Sequence, residues 1–139
     1  MVRLTRAIEF STSLRCAHPD LSDAENEALY GAEARQHGHN YRLEVTLRGE
    51  PDPATGMVID LKDVQEVLER EVMRRFDHRD LNRDTPYFEK QPPTHENLAR
   101  VILRLLLAAL PSGSLDRIRL QPESDTWVEI AVPLAGAGA

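Results

Sequence analysis

The amino-acid sequence predicts a single α+β domain in which two helices cover one face of a four-stranded antiparallel sheet. Alternating apolar and polar residues near both ends of the chain predict strands, and two segments of helical period lie between them. The length of 139 residues allows one core and is too short for two ordinary domains, so the domain spans residues 1–139. The predicted order is ββααββ, and the two free edges of so small a sheet predict an oligomer.

The first half of the chain contains two predicted strands. Residues 3–18 alternate in polarity, and His18 shares the parity of the apolar positions. Residues 19–36 are polar and acidic without a strong period, which predicts a loop with a helical turn around Asp23–Tyr30. The second strand, residues 37–48, has these apolar residues on one face: Tyr41, Leu43, Val45 and Leu47.

Two helices and two further strands follow. Asp60 is the predicted N-cap of the first helix, whose apolar residues recur at helical spacing: Leu61, Val64, Leu68, Val72 and Phe76. Thr94 is the predicted N-cap of the second helix, which ends near Leu110. Two strands and a frayed tail complete the prediction: Arg117–Gln121, Thr126–Val132 and Ala135–Ala139.

Composition disfavours several classes of protein. No apolar run approaches the ~20 residues of a membrane span, and the N-terminus lacks the pattern of a signal peptide, so we expect a cytoplasmic protein without a membrane partner. The net charge of −6 disfavours sequence-independent binding of nucleic acid. Because Cys16 is the single cysteine, a metal site must draw on histidines and carboxylates.

His37 and His39 form a candidate metal site at the start of the second strand. Alternation along a strand points both side chains the same way, and Gly38 between them leaves room. His18 at the end of the neighbouring strand could complete a set of three neutral nitrogens with an open fourth position, the pattern of catalytic zinc. Taken alone, a His-x-His pair is more often a surface or hydrogen-bonded core pair.

Six segments occur in one order along nearly the whole chain: residues 16–18 (CAH), 36–41 (QHGHNY), 55–60 (TGMVID), 76–82 (FDHRDLN), 93–99 (PTHENLA) and 121–124 (QPES). Together they resemble the motifs of the 6-pyruvoyl-tetrahydropterin synthase and 6-carboxytetrahydropterin synthase family. The resemblance implies the tunnel fold (T-fold), in which three subunits join their sheets into a barrel and two such rings stack into a homohexamer, a dimer of trimers. It also implies a small-molecule pterin substrate.

The same resemblance implies a zinc cofactor, Zn2+, with His18, His37 and His39 as its ligands. Asp77 and His78 match the acid and the histidine of a catalytic relay, in which a carboxylate orients an imidazole and holds its proton. Without the family, an Asp-His pair after a helix is more often a capping pair.

The resemblance also implies a binding pocket for the pterin. Glu123 matches the pterin anchor, because a carboxylate can accept two hydrogen bonds from the amino and ring N–H groups of a pterin. Thr94 and Glu96 are expected to line the pocket, although capping of the first helical turn explains them equally well.

One position departs from the family pattern. Where members carry a catalytic cysteine shortly before the His-Gly-His, this chain has Glu33, four residues before His37. A family branch with glutamate there resembles a replacement for dihydroneopterin aldolase. The leading hypothesis is therefore a zinc-dependent lyase that cleaves 7,8-dihydroneopterin triphosphate to 6-hydroxymethyl-7,8-dihydropterin for folate biosynthesis, with Glu33 as base. Cys16 is the alternative base, although a buried packing thiol is the favoured interpretation of this residue.

Other functions stay open at this point. One alternative is a 6-carboxy-5,6,7,8-tetrahydropterin synthase of the queuosine (deazaguanine) route or a 6-pyruvoyl-tetrahydropterin synthase. Another is a non-catalytic relative that binds a pterin without turnover.

Overall fold

The computed structural model describes residues 1–134, and the predicted frayed tail lies outside them. The strands are β1 (Val2–Leu14), β2 (His37–Gly49), β3 (Arg79–Asp80), β4 (Leu115–Glu123) and β5 (Thr126–Ala131). The helices are α1 (Asp23–Tyr30), α2 (Leu61–Leu68), α3 (Arg74–Phe76) and α4 (His95–Ala109), with a 3-10 turn at Gly31–Ala34 and a π-helical turn at Glu69–Met73. None of the helices in residues 1–134 has the length and apolarity that crossing a membrane requires.

The five strands form one sheet in the order β3-β1-β2-β4-β5. β1 and β2 make a long antiparallel pair that runs from Val2 opposite Gly49 to Leu14 opposite His37. β4 and β5 continue the antiparallel arrangement, so the four predicted strands are present. The two-residue β3 adds a fifth strand, parallel to β1. Two residues are too few to show an alternating pattern, and the prediction of four strands therefore missed β3.

β1 ends at Leu14, before the predicted end of the first strand at His18. Because β2 begins at His37, opposite Leu14, the next residues have no strand to pair with on that side. Their backbone is held by other groups, since the Cys16 N–H donates to the carbonyl oxygen of Glu33 at 2.8 Å. His18 therefore lies beyond the sheet.

The segment predicted as a loop with a helical turn contains a full helix, α1. Ser22 and Glu25 form a capping box, in which each side chain accepts a hydrogen bond from the other residue's N–H at 3.1 Å. The buried side chain of Asn26 bonds both backbone groups of His18 and so fixes the preceding loop. Asn26 is the single buried residue of α1, so this helix lacks the apolar period by which helices are recognised.

The two predicted helical regions pack on the sheet and enclose the core. Asp60 and Thr94 cap them as predicted, each accepting a hydrogen bond from an N–H of the first turn, at 2.9 and 3.1 Å. The π-helical turn interrupts the first region between α2 and α3. Residues without solvent exposure come from β2, β4 and the helices: Leu43, Val45, Leu47, Val64, Val72, Leu98, Ile102 and Ile118.

Arg48, near the end of β2, is buried, with 5% of its surface exposed. Its guanidinium donates to Asp116 at 3.3 Å and to the carbonyl oxygens of Val132 at 2.7 Å and Pro133 at 3.1 Å. Asp116 also accepts a hydrogen bond from Arg3. This buried ionic cluster ties the segment after β5 to the middle of the sheet.

Trp127, the single tryptophan of the sequence, lies on the edge strand β5 and is half exposed. The guanidinium carbon of Arg119 lies 3.9 Å from the centre of its ring, a cation–π contact. The outer edge of β5 pairs with no other strand among residues 1–134.

Candidate metal centre

The start of β2 holds His37 and His39 side by side, as the strand parity predicts. Their ring centroids are 5.0 Å apart, with the ring planes at 90°. Gly38 between them allows β1 to come close, because a Cβ at this position would lie 3.1 Å from the carbonyl oxygen of Thr12.

Glu33, on the 3-10 turn before β2, reaches both histidines. Its Oε2 lies 3.0 Å from Nε2 of His37 and 4.0 Å from Nε2 of His39. One ligand atom from each of these three residues lies within 4.8 Å of the other two. The structure thus brings the predicted base together with two of the three predicted zinc ligands, and the half-exposed Glu33 carboxylate is accessible from solvent.

A backbone carbonyl fixes the tautomer of His37. Nδ1 lies 2.7 Å from the carbonyl oxygen of Arg35, which can only accept, so Nδ1 carries a proton. In the neutral ring, Nε2 therefore presents a lone pair to Oε2 of Glu33, and this short contact does not have hydrogen-bond geometry. Two acceptors this close repel one another unless a proton or a cation lies between them.

Unpaired polar atoms cluster at this point. Nε2 of His37, Nε2 of His39 and Oγ1 of Thr12 are buried without a hydrogen-bond partner among the described residues, and Thr12 lies directly opposite His39 in the strand pair. A buried polar atom without a partner costs about 1–3 kcal/mol, so three in one place indicate a bound group. Two imidazole nitrogens and a carboxylate oxygen are donors that zinc prefers. The residues present therefore fit the predicted cation.

His95, the first residue of α4, lies beside His39 and was missed by the sequence-based prediction. Its ring centroid is 4.8 Å from that of His39, and its Nδ1 is hydrogen-bonded to the hydroxyl of Tyr41 at 2.9 Å. Burial lowers the pKa of both His39 and His95, so both rings are neutral at pH 7, the form that binds metals. The available signal was the predicted cap Thr94, which fixes where α4 starts but not where the next ring points.

Thr94, Glu96 and Glu123 are the residues predicted to line the pterin pocket. Burial lowers the pKa of His95, and the charges of Glu33, Glu96 and Glu123 act in the opposite direction. Oγ1 of Thr94 accepts the N–H of Asn97 at 3.1 Å, which confirms the capping interpretation. Contact of these residues with a pterin stays a prediction.

Cys16 lies in the core next to Glu33. Burial raises the pKa of its thiol to about 11, with smaller contributions from the charges of Glu33 and Glu96. The thiol is therefore protonated at neutral pH and poorly suited to act as a base. Its 5% exposure matches the predicted packing role.

His18 is not among the three residues whose ligand atoms lie within 4.8 Å of one another. Its Nδ1 accepts the N–H of Asp20 at 3.1 Å. Leu14, which cannot bind a metal, occupies the β1 position opposite His37. Because β1 ends at Leu14, His18 is not held in the strand pair, and its role as a zinc ligand stays a prediction.

Asp77 and His78 lie at the junction of α3 and β3. Oδ1 of Asp77 accepts the N–H of Ser11 at 3.0 Å, which lowers the pKa of this carboxyl, and it lies 3.0 Å from Nδ1 of His78. The side chain of His78 is 83% exposed, and its backbone has a left-handed φ of 58°. Among residues 1–134, no hydrogen bond or ion pair joins this predicted relay to Glu33 or to the histidines of β2.

Known proteins are similar to this chain in both sequence and fold. The family model of 6-pyruvoyl tetrahydropterin synthase matches residues 3–132. A Homo sapiens 6-pyruvoyl tetrahydrobiopterin synthase is 42% identical over 120 residues, which cover 85% of this chain and 83% of the human protein. The solved structure of Caenorhabditis elegans 6-pyruvoyl tetrahydropterin synthase superposes with a TM-score of 0.88 at 31% identity, covering 95% of this chain and 96% of that one.

A more distant structure has the same fold. It is a Plasmodium vivax 6-pyruvoyltetrahydropterin synthase with a catalytic glutamate replaced by alanine, with a TM-score of 0.69 at 16% identity over 96% of this chain and all of the other. The extent of the family match, together with the similarity to the human and nematode proteins, shows the tunnel fold of the pterin synthases. The chain belongs to the 6-pyruvoyl tetrahydropterin synthase family.

Proposed function

We propose that the chain is a metal-dependent lyase that cleaves 7,8-dihydroneopterin triphosphate to 6-hydroxymethyl-7,8-dihydropterin, with Glu33 as its base. The observation that carries the proposal is the Glu33 carboxylate 3.0 Å from Nε2 of His37, at the place where the unpaired atoms cluster. The fold is compatible with such a base, because the Plasmodium vivax synthase has a glutamate as a catalytic residue. Zinc bound by His37 and His39 would make a side-chain hydroxyl of the substrate more acidic.

The carboxylate of Glu33 performs the proton transfer in this reaction. It accepts the proton of the hydroxyl on the second side-chain carbon, and the bond between the first and second carbons breaks. The electron pair passes into the pterin ring, the second carbon leaves in an aldehyde, and the first carbon takes up a proton. A carboxylate is a weaker base than a thiolate, so removal of a hydroxyl proton suits it better than removal of a carbon-bound proton.

The other proposed site residues would bind the pterin or transfer protons. Glu123 would accept two hydrogen bonds from the pterin, which fixes the ring relative to Glu33. Asp77 and His78 would complete the proton relay from a neighbouring copy in a homohexamer. The exposure of His78 and its lack of contact with Glu33 within one chain support this placement.

The second candidate function is that of a 6-pyruvoyl-tetrahydropterin synthase, which eliminates the triphosphate. The similarity to the human 6-pyruvoyl tetrahydrobiopterin synthase, which is 42% identical, favours it. Incubation of the purified protein with dihydroneopterin triphosphate, followed by mass identification of the pterin, decides between the two. We expect 6-hydroxymethyl-7,8-dihydropterin, and a 6-pyruvoyl or 6-carboxy product, or no product at all, would contradict the proposal.

Metal content tests the metal centre directly. We expect about one zinc per chain by elemental analysis after zinc loading and desalting, because Nε2 of His37 and Nε2 of His39 are buried in one place without a hydrogen-bond partner among the described residues. The double variant His37→Ala, His39→Ala should lose the metal while keeping the native circular dichroism spectrum. Full metal content in the double variant would rule out this centre.

The proposed assembly predicts a particle of six chains, each of 15.7 kDa. Light scattering should show this mass at micromolar concentration. If Asp77 and His78 serve a neighbouring site, inactive Glu33→Gln and His78→Ala chains should regain partial activity when they are unfolded together and refolded as a mixture. A monomer, or a mixture without activity, would contradict the shared site.

A further inference from the structure

Glu33 lies on a short turn that is fastened from the segment after β1. The turn is the four-residue 3-10 turn, in which Ala34 is the single buried residue. The Cys16 N–H donates to the carbonyl oxygen of Glu33 at 2.8 Å, and the guanidinium of Arg15 donates to that of Ala34 at 3.1 Å. The position of the proposed base therefore depends on how firmly the segment after β1 is held.

The side-chain amide of Asn82 holds this segment from the opposite side. Its Oδ1 accepts the N–H of Arg15 at 2.8 Å, and its Nδ2 donates to the carbonyl oxygen of Arg15 at 3.0 Å. A backbone N–H can only donate and a carbonyl can only accept, so a single orientation of the amide satisfies both bonds. Asn82 thus pairs with Arg15 as a residue of a neighbouring strand would, although β3 has already ended at Asp80.

Asn82 and Glu33 bond to the same peptide group. The carbonyl of Arg15 and the N–H of Cys16 belong to one planar unit and point in opposite directions. Asn82 donates to this carbonyl, and the carbonyl oxygen of Glu33 accepts from this N–H. Because the group is rigid, fixing its oxygen also fixes the direction of its N–H, and each bond polarises the group and strengthens the other. Two hydrogen bonds and one rigid group therefore link Asn82 to the proposed base.

Asp80 anchors Asn82 in turn. Oδ1 of Asp80 accepts the N–H of Asn82 at 3.0 Å. Its Oδ2 accepts from the hydroxyl of Ser13 at 3.2 Å and from the side-chain amide of Gln36 at 2.8 Å. Gln36 directly precedes β2, so Asp80 ties the loop that carries Asn82 both to β1 and to the segment that follows the turn.

We propose that Asn82 is a positioning residue for the lyase reaction: its amide fixes the peptide group between Arg15 and Cys16, and this group holds the turn that aims the Glu33 carboxylate. The inference rests on the role of Glu33 in the proposed function. Misplacement of a reacting group by about 1 Å can lower a rate roughly 100-fold, so a residue that never touches the substrate can still control turnover.

A double-mutant cycle on turnover tests the assignment. Asn82→Ala should lower kcat for dihydroneopterin triphosphate about 10- to 100-fold and change KM less than about two-fold, because the base is displaced while the groups that bind the substrate are intact. In a chain that already carries Glu33→Gln, it should change the residual kcat less than about two-fold, since a positioning residue acts only through the base. Gln91→Ala is the matched control. It removes an amide that bonds the Tyr87 carbonyl oxygen at 3.2 Å before α4, and it should leave kcat native.

Hydrogen exchange measured by mass spectrometry tests the link without a substrate. In Asn82→Ala, peptides that cover residues 15–20 and 30–36 should exchange faster than in the native chain, because the peptide group and the turn are released together. Gln91→Ala should leave both peptides unchanged. Native exchange of residues 30–36 in Asn82→Ala would show that the amide does not hold the turn and would overturn the inference.

Asn82→Ala should keep the native circular dichroism spectrum. If it does not fold, Arg15→Met takes its place in the cycle, because it removes the bond to Ala34 and keeps the aliphatic stem. Native kcat in the single variant, or an equal loss of kcat with and without Glu33→Gln, would refute the positioning role alone. A fully active Glu33→Gln would instead refute the base of the proposed function.

Discussion

Glu33→Gln is expected to reduce turnover of dihydroneopterin triphosphate by about 100- to 10,000-fold, the usual contribution of a general base. The amide keeps the shape of the side chain but cannot take up the hydroxyl proton. Zinc content and binding of the pterin should stay close to native values, because the imidazoles and Glu123 are intact. Single-turnover kinetics with mass detection of the product measure the chemical step directly.

Glu27 supplies the matched control for this variant. Its carboxylate pairs with Arg35 at 2.8 Å on the surface and belongs to none of the site clusters. Glu27→Gln should therefore keep native turnover and zinc content. Full activity of Glu33→Gln would eliminate Glu33 as the base, and loss of zinc from this variant would identify Glu33 as a metal ligand instead.

Asp116→Ala is expected to lower the free energy of unfolding by about 3–5 kcal/mol, because it leaves the buried guanidinium of Arg48 without its counter-charge. The carbonyl oxygens of Val132 and Pro133 still accept hydrogen bonds from Arg48 but carry no formal charge. Urea denaturation followed by circular dichroism measures the change.

Glu129→Ala removes a carboxylate of a different kind. The Glu129 side chain is 44% exposed and lies 3.5 Å from Arg117, so its loss should cost less than about 1 kcal/mol. A similar small cost for Asp116→Ala would show that water reaches Arg48 in solution and that the ionic cluster is not a buried one.

The register of β1 and β2 explains which candidate ligands could be placed from the sequence. Alternation in a strand fixes the direction of His37 and His39, so their common face follows from the residue pattern. Alternation does not fix the direction of His18, because it predicts where a side chain points only within a strand, and β1 ends at Leu14. The end of β1 depends on the start of β2, because Leu14 pairs with His37. Pairing between residues this far apart cannot be inferred from a local sequence pattern.

The places of Glu33 and His95 in the site could not be predicted from a periodic residue pattern. Glu33 sits on a short 3-10 turn, and its identification rested on a family position rather than on a period. The direction of the His95 ring depends on a hydrogen bond to Tyr41, 54 residues away, which no local pattern reports. The main helices were predictable because α2 and α4 have caps and apolar stripes, whereas α1 has neither a stripe nor more than one buried residue.

The location of Trp127 makes the intrinsic fluorescence of the chain sensitive to contacts at β5. A half-exposed indole emits at longer wavelength than one shielded from water, and all tryptophan emission comes from this side chain on the outer strand. If a second copy extends the sheet at β5, the indole and its Arg119 partner become covered, and the emission maximum moves to the blue. Titrating protein concentration while recording fluorescence would then follow subunit association without any added label.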